Sequence, residues 1–182
     1  MVLTKQSLDA LTKDNKATAG TDATFASSGM AVVVTPKPDI STPEAFKQAL
    51  LNAKAIAYSD PAAGGASGVH YAKVLERLGI VDQMKAKTKH PPPSGNTANL
   101  VVAGEADLAV QQEPEVMSVA GVDMVGPLPA DLNNITVYAA GVGAGSQHSE
   151  AATALIRFLH SPEAQAVFKA KGLKLADAPK GT

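Results

Sequence analysis

The sequence has no cysteine and no tryptophan, only two arginines (Arg77 and Arg157), and 4% aromatic residues. Without cysteine there are no disulfides, no Cys-ligated zinc, no iron–sulfur cluster and no thiol catalysis, and neither an oxidising nor a reducing compartment is excluded. Two guanidinium groups do not support extensive bidentate recognition of phosphates or guanines, and scarce aromatics argue against sugar-stacking or single-strand platforms. Sixteen Lys plus Arg against seventeen Asp plus Glu leave a net charge of −1. No nucleic-acid partner is expected, because binding one needs a basic face. No run approaches the roughly 20 apolar residues that cross a bilayer. Met1-Val2-Leu3-Thr4-Lys5 also lacks the apolar run of a secretory signal, so the chain as written has no export address and reads as cytoplasmic if complete.

What is present is a globular composition. The 182 residues are 45% hydrophobic and 18% charged, enough for a sizeable core. Leu3, Leu8 and Leu11, behind Thr4 or Ser7 as a cap, predict a short helix. The run Phe25 to Thr35 reads as one buried strand closed by Pro36 and Pro38. Ser41-Thr42-Pro43-Glu44 has a capping hydroxyl, proline at the first helical position and an early acid, and predicts a helix over 43–53. A strand over 54–58, a glycine-rich loop over 59–67 and a helix over 68–78 follow. Then come a helix over 97–103, strands over 107–111, 122–125 and 135–142, and helices from Ser149 and Ser161. The tail from Ala176 reads as frayed. This alternation predicts an α/β fold with open sheets.

Ser59 to Ser67 is the most informative segment, because a strand delivers it and a helix starts at its end. Unpaired N–H groups and the positive end of a helix dipole converge there, a ready anion site. Ser59, Asp60, Gly64, Gly65, Ala66, Ser67 and Gly68 are the candidates. The competing reading is that Ser67 only caps its helix and the glycines only turn the chain. The loop is neither a nucleotide P-loop nor a dinucleotide fingerprint. Pro93-Ser94-Gly95-Asn96-Thr97 opens another helix, with Asn96 and Thr97 as donors or as plain caps. Gln111-Gln112-Glu113-Pro114-Glu115 reads as a strand end at the ligand edge of a sheet, or as solvated surface. His70, His90, His148 and His160 lack metal-ligand spacing, so neither metal nor cofactor is expected. His70 with Tyr71 could act as acid and base, or simply face solvent.

Several ordered motifs carry a resemblance: Ile56-Ala57-Tyr58-Ser59-Asp60-Pro61, the glycine-rich loop into Val74-Leu75-Glu76-Arg77-Leu78-Gly79, Gly104-Glu105-Ala106-Asp107-Leu108, Val125-Gly126-Pro127-Leu128-Pro129, and Ala154-Leu155-Ile156-Arg157-Phe158-Leu159 with Ser161-Pro162-Glu163-Ala164. Over about Val2 to Leu173 the chain resembles the molybdate-binding family of type II periplasmic solute-binding proteins of ABC transporters. The resemblance implies two α/β lobes with open mixed sheets, a first lobe from residues 1–35 and 130–182, and a second lobe from 36–129. The hinge strands would be 30–34 and 135–142. It implies a small anionic ligand between the lobes, held by the Gly65–Ser67 loop, the Asn96–Thr97 region and Gln112, with ABC transporter membrane subunits as partners and a periplasmic location. Gln112 departs from the family's tyrosine. The serine-bearing loops that open the family's first lobe have no counterpart, so that lobe is expected to be incomplete, to bind oxyanions weakly if at all, and to favour homo-oligomers.

The leading expectation is therefore a non-enzymatic, truncated solute-binding protein of an ABC transporter. Two alternatives stand beside it. One is an enzyme on the same fold, acting on a small carboxylate or carbonyl substrate with His70 and Tyr71 as acid and base. The other is a cytoplasmic ligand-sensing module.

Overall fold

A computed structural model describes residues 1–34, 37–93 and 95–176. Thr35, Pro36, Ser94 and the tail beyond Ala176 lie outside them. The chain forms two compact units, Met1–Ser28 with the part from Ile135 onward, and Gly29–Asn134.

In chain order, β1 (Val2–Thr4) leads into α1 (Lys5–Lys13), whose cap is Thr4, accepting from the Ser7 N–H. Next come β2 (Ala23–Ser28), β3 (Met30–Val34), α2 (Pro43–Asn52) and β4 (Ile56–Tyr58). They are followed by α3 (Ala66–Leu78), α4 (Val81–Lys85), β5 (Thr88–Lys89), α5 (Ala98–Val102), β6 (Leu108–Gln112), α6 (Glu113–Val116) and β7 (Asp123–Pro127). The chain ends with β8 (Thr136–Ala140), α7 (Ser149–Leu159), α8 (Pro162–Ala170) and β9 (Lys174–Leu175).

The first unit is a four-stranded antiparallel sheet in the order β1-β8-β2-β9. Leu8 of α1 packs with Ala17 and Ala139, and Phe25, Ala26 and Ala140 meet Ile156, Leu159 and Phe168. The apolar spacing of α7 predicts a packed face, yet none of its residues is fully buried, and Leu155 and Phe158 stand about half exposed.

The second unit holds the site. Its five-stranded mixed sheet runs β5-β4-β6-β3-β7, with β4 parallel to β5 and β6, and β3 antiparallel to β6 and β7. The run expected as one strand is two, because the chain leaves one sheet at Ser28 and enters the other at Met30. All five residues of β3 are buried, which requires a central position covered on both faces. It therefore belongs to the second unit, whose boundaries fall at Gly29 and Asn134.

The two faces of this sheet differ in size. Met30, Val32, Val34, Ile56, Leu108 and Val110 face Phe46 and Leu50 of α2 and Tyr71, Val74 and Leu75 of α3. Their strand neighbours Ala31, Val33, Ala57 and Ala109 meet Ala98 and Val101 of α5 and Val116 of α6. Side chains alternate along a strand. Continuing that alternation past Ala109 turns Gln111 toward α5 and α6, and Gln112 toward the side of Val110.

Candidate functional site

Beyond Tyr58 the chain makes one 3-10 turn, Pro61–Ala63, capped by Asp60, whose Oδ1 accepts from the Ala62 N–H at 2.9 Å. Gly64 takes the left-handed conformation at φ 75°, and Gly65 is the N-cap of α3. Helices α2 and α8 are capped by the side chains of Thr42 and Ser161, whereas the N-cap of α3, Gly65, has no side chain to do so. Among the described residues its first N–H groups receive no side-chain cap from Gly65, at the positive end of a helix of 13 residues. Ser67 is a helical residue rather than the cap, so the capping alternative for Ser67 does not hold.

These elements border a cavity of about 300 Å³ within the second unit. Ser59, Asp60, Ala63, Gly65 and Ser67 form one wall, Pro91, Pro92, Pro93 and Gly95 another, and Gln111 and Glu115 close it. The proline wall is tied to the strand end by His90, whose Nδ1 donates to the Tyr58 carbonyl at 2.9 Å and whose ring stands edge-on to Tyr58.

Glu115 is the group whose chemistry stands out. It keeps exposed surface, yet its Oε2 accepts from the Gln112 N–H at 3.3 Å, and loss of hydration at the carboxyl raises its pKa above the ordinary glutamate value. That effect outweighs the Gln112 N–H and the Gln111 side chain, both of which lower it.

Of the residues singled out in the sequence, Ser59, Asp60, Gly65 and Ser67 line the cavity, while Gly64, Ala66 and Gly68 shape the same turn. Asn96 and Thr97 are occupied by the fold. Asn96 accepts from the Ala98 N–H at 2.9 Å and donates to the Glu115 carbonyl at 2.6 Å. Thr97 is fully buried and gives both its N–H and its hydroxyl to Gln111 Oε1, at 2.8 and 3.0 Å. Gln112 is buried opposite Met30 in the ladder, and Gln111 takes the lining position instead because of the strand alternation.

The acid–base pair is also relocated. Tyr71 is fully buried in the core, its ring 4.9 Å from that of Tyr58 and 6.5 Å from that of Phe46. Burial pushes its phenol far above the usual tyrosine range, which removes it as a proton donor or acceptor for a ligand. His70 donates from Nε2 to the Leu132 carbonyl at 2.8 Å and is not among the described residues lining the cavity.

The segment Gln111 to Glu115 was read as the ligand edge of the sheet, but only Gln112 of it was named as a binding residue, and Pro91 and Pro92 were not singled out. Glu113-Pro114-Glu115 looked like a strand end. Proline and acids in the first turn are signals of the helix start that the structure shows there.

Residues 1–174 match the family of bacterial extracellular solute-binding proteins. The chain belongs to that family. Solved structures share the fold of this chain. The substrate-binding domain of a molybdenum ABC transporter from Clostridium difficile aligns with 97% of the chain and 76% of its own, at TM-score 0.73 and 17% identity. The molybdate-binding protein of Azotobacter vinelandii aligns with 96% and 76%, at TM-score 0.71 and 22% identity. The sulfate-binding protein SubI of Mycobacterium tuberculosis aligns with 97% and 69%, at TM-score 0.67 and 22% identity.

A sequence relative points elsewhere for function. An aconitate isomerase from a Pseudomonas species is 40% identical over 140 residues, 76% of this chain and 52% of that protein. The chain thus spans about half the length of that relative. Because that relative is an enzyme, it overturns two expectations for this chain: a non-enzymatic component of an ABC transporter, and the absence of catalysis.

Proposed function

We propose that this chain is an isomerase of a small unsaturated polycarboxylate of the aconitate type, working by proton transfer on the solute-binding fold. The observation that carries the reading is the Glu115 carboxyl, raised in pKa by loss of hydration, on the wall of a cavity that also receives the uncapped start of α3. The 40% identical aconitate isomerase supplies the reaction class.

Geometrical isomerisation of a C=C bond conjugated to carboxylates needs temporary loss of double-bond character. A base removes a proton from the methylene group beside the double bond, and the electron pair spreads over the three-carbon allyl unit and its carboxylates. The acid just formed returns the proton to the far carbon, the double bond moves, and no net proton is consumed. Glu115 is the base and then the acid. A carboxylate with a raised pKa is a stronger base than one on an open surface, which suits it to a weakly acidic C–H. The N–H groups at Gly65 to Ser67, with the Ser59 and Ser67 hydroxyls, hold a substrate carboxylate and stabilise the charge that builds on it. His70 and Tyr71 have no part in this scheme.

The test is incubation of the purified chain with cis- and with trans-aconitate in deuterium oxide, followed by proton NMR. Interconversion with deuterium entering the methylene and vinylic positions is expected. If both substrates stay unchanged and unlabelled at saturating concentration, the proposal fails.

A further inference from the structure

We propose that the exposed side of α7 is a self-association surface on which a second copy of this chain docks antiparallel, α7 against α7, about a two-fold axis. This goes beyond the isomerase reading and does not rest on it, because α7 belongs to the first unit and the cavity to the second.

Helix α7 is apolar on two sides. Ile156 and Leu159 pack on Phe25, Ala26 and Ala140. Ala151, Ala154, Leu155 and Phe158 follow the i, i+3, i+4, i+7 spacing that gathers side chains into one stripe. All four are exposed, Leu155 by 48% and Phe158 by 56%. A helix with apolar residues on both sides is stable when both are covered, and the core of its own unit covers one.

Charge decides what fits the other. Glu150 in the first turn and Arg157 in the last, at positions i and i+7, flank the stripe on the same side. They lie about 10 Å apart along the axis, too far to pair with each other, and among the described residues neither side chain forms an ion pair. Both suit the helix dipole, but the dipole acts on every side of a turn and does not require a shared flank. Antiparallel docking does require it. A two-fold axis beside the middle of α7 sets Glu150 level with Arg157 of the second copy, and Arg157 level with Glu150 of the second copy, while Leu155 and Phe158 of each copy meet the stripe of the other. A parallel pair would set like charges level. Such self-complementarity marks an isologous contact. With 11 residues, α7 is about 16 Å long, so the contact falls below the roughly 800 Å² per partner of a standard interface, and the dimer dissociates on dilution.

The test is sedimentation velocity of the purified chain from micromolar to millimolar concentration. A monomer–dimer equilibrium is expected, and Phe158→Asp should keep the chain monomeric throughout. Glu150→Arg and Arg157→Glu each set like charges level at both symmetric contacts, so each alone should weaken association by about tenfold. Mixing these two variants sets opposite charges level at both contacts and should restore association as a heterodimer. The three positions are exposed, and circular dichroism checks that each variant is folded. If Phe158→Asp does not fold, the two charge variants decide. A native chain that stays monomeric at millimolar concentration, leaving the stripe to some other occupant, overturns the proposal. So does a dimer that the folded variants leave intact, or a mixture of the charge variants that associates no better than either alone. The cavity takes no part, so failure of the isomerase assay leaves this result standing.

Discussion

Gly68, in the first turn of α3, lies so close to the Ser59 backbone that a Cβ added to it would stand 2.3 Å from the Ser59 carbonyl oxygen. The start of the helix and the end of the strand meet through bare backbone, and this contact sets one wall of the cavity. Gly68→Ala forces the two apart and should cost about 1–3 kcal/mol, read as a lower urea midpoint with an unchanged slope. Gly65 has nothing within 4 Å of the same added atom and an ordinary φ of −67°. Gly65→Ala should therefore stay within about 0.5 kcal/mol, and equal effects at the two positions would contradict this account.

Tyr71 carries a hydroxyl that is buried and, among the described residues, has no hydrogen-bond partner. Removing an unsatisfied polar atom is neutral or favourable. Tyr71→Phe should leave the thermal midpoint unchanged or raised, and should leave isomerisation intact. A large loss of rate would return Tyr71 to the reacting centre.

His70 holds the Leu132 carbonyl through Nε2. His70→Ala should lower stability by about 1 kcal/mol while the rate at saturating substrate stays near that of the native chain. Turnover lost in a variant that remains folded would restore the histidine as acid or base.

Glu115→Gln keeps the shape of the side chain and removes its titration. The isomerisation rate should fall by about 100-fold or more. Stability should respond with a defined sign. A carboxyl whose pKa is raised by folding binds its proton more tightly in the native state, so its contribution is full below the ordinary value of about 4.3 and fades as pH rises through the raised one. The variant should therefore gain stability relative to the native chain over that interval and hold the gain above it. Unfolding curves across the acidic to neutral range check this, and parallel pH dependence of the two proteins would contradict it.

Local signals carried much of the fold. Thr42-Pro43-Glu44 announces α2, Ser161-Pro162-Glu163 announces α8, and Gly79 at φ 65° ends α3 where the pattern stops. Each depends on backbone groups a few residues away, so a linear reading captures it. The same reading joined β2 to β3, because only partner strands distant in sequence decide that Ser28 pairs in one sheet and Met30 in another.

For the site, the sequence alone determined that a glycine-rich turn feeds a helix start after Tyr58, because chain geometry and the short-range chemistry of glycine and proline dictate it. Which side chains face that turn was decided only by tertiary structure. The side of β6 that Gln111 occupies depends on helices packing on both faces of the sheet. The capture of Thr97 by Gln111, and the partial drying of Glu115 that raises its proton affinity, depend on neighbours far along the chain. Burial and long-range pairing are properties of the packed molecule, and no local run of residues encodes them.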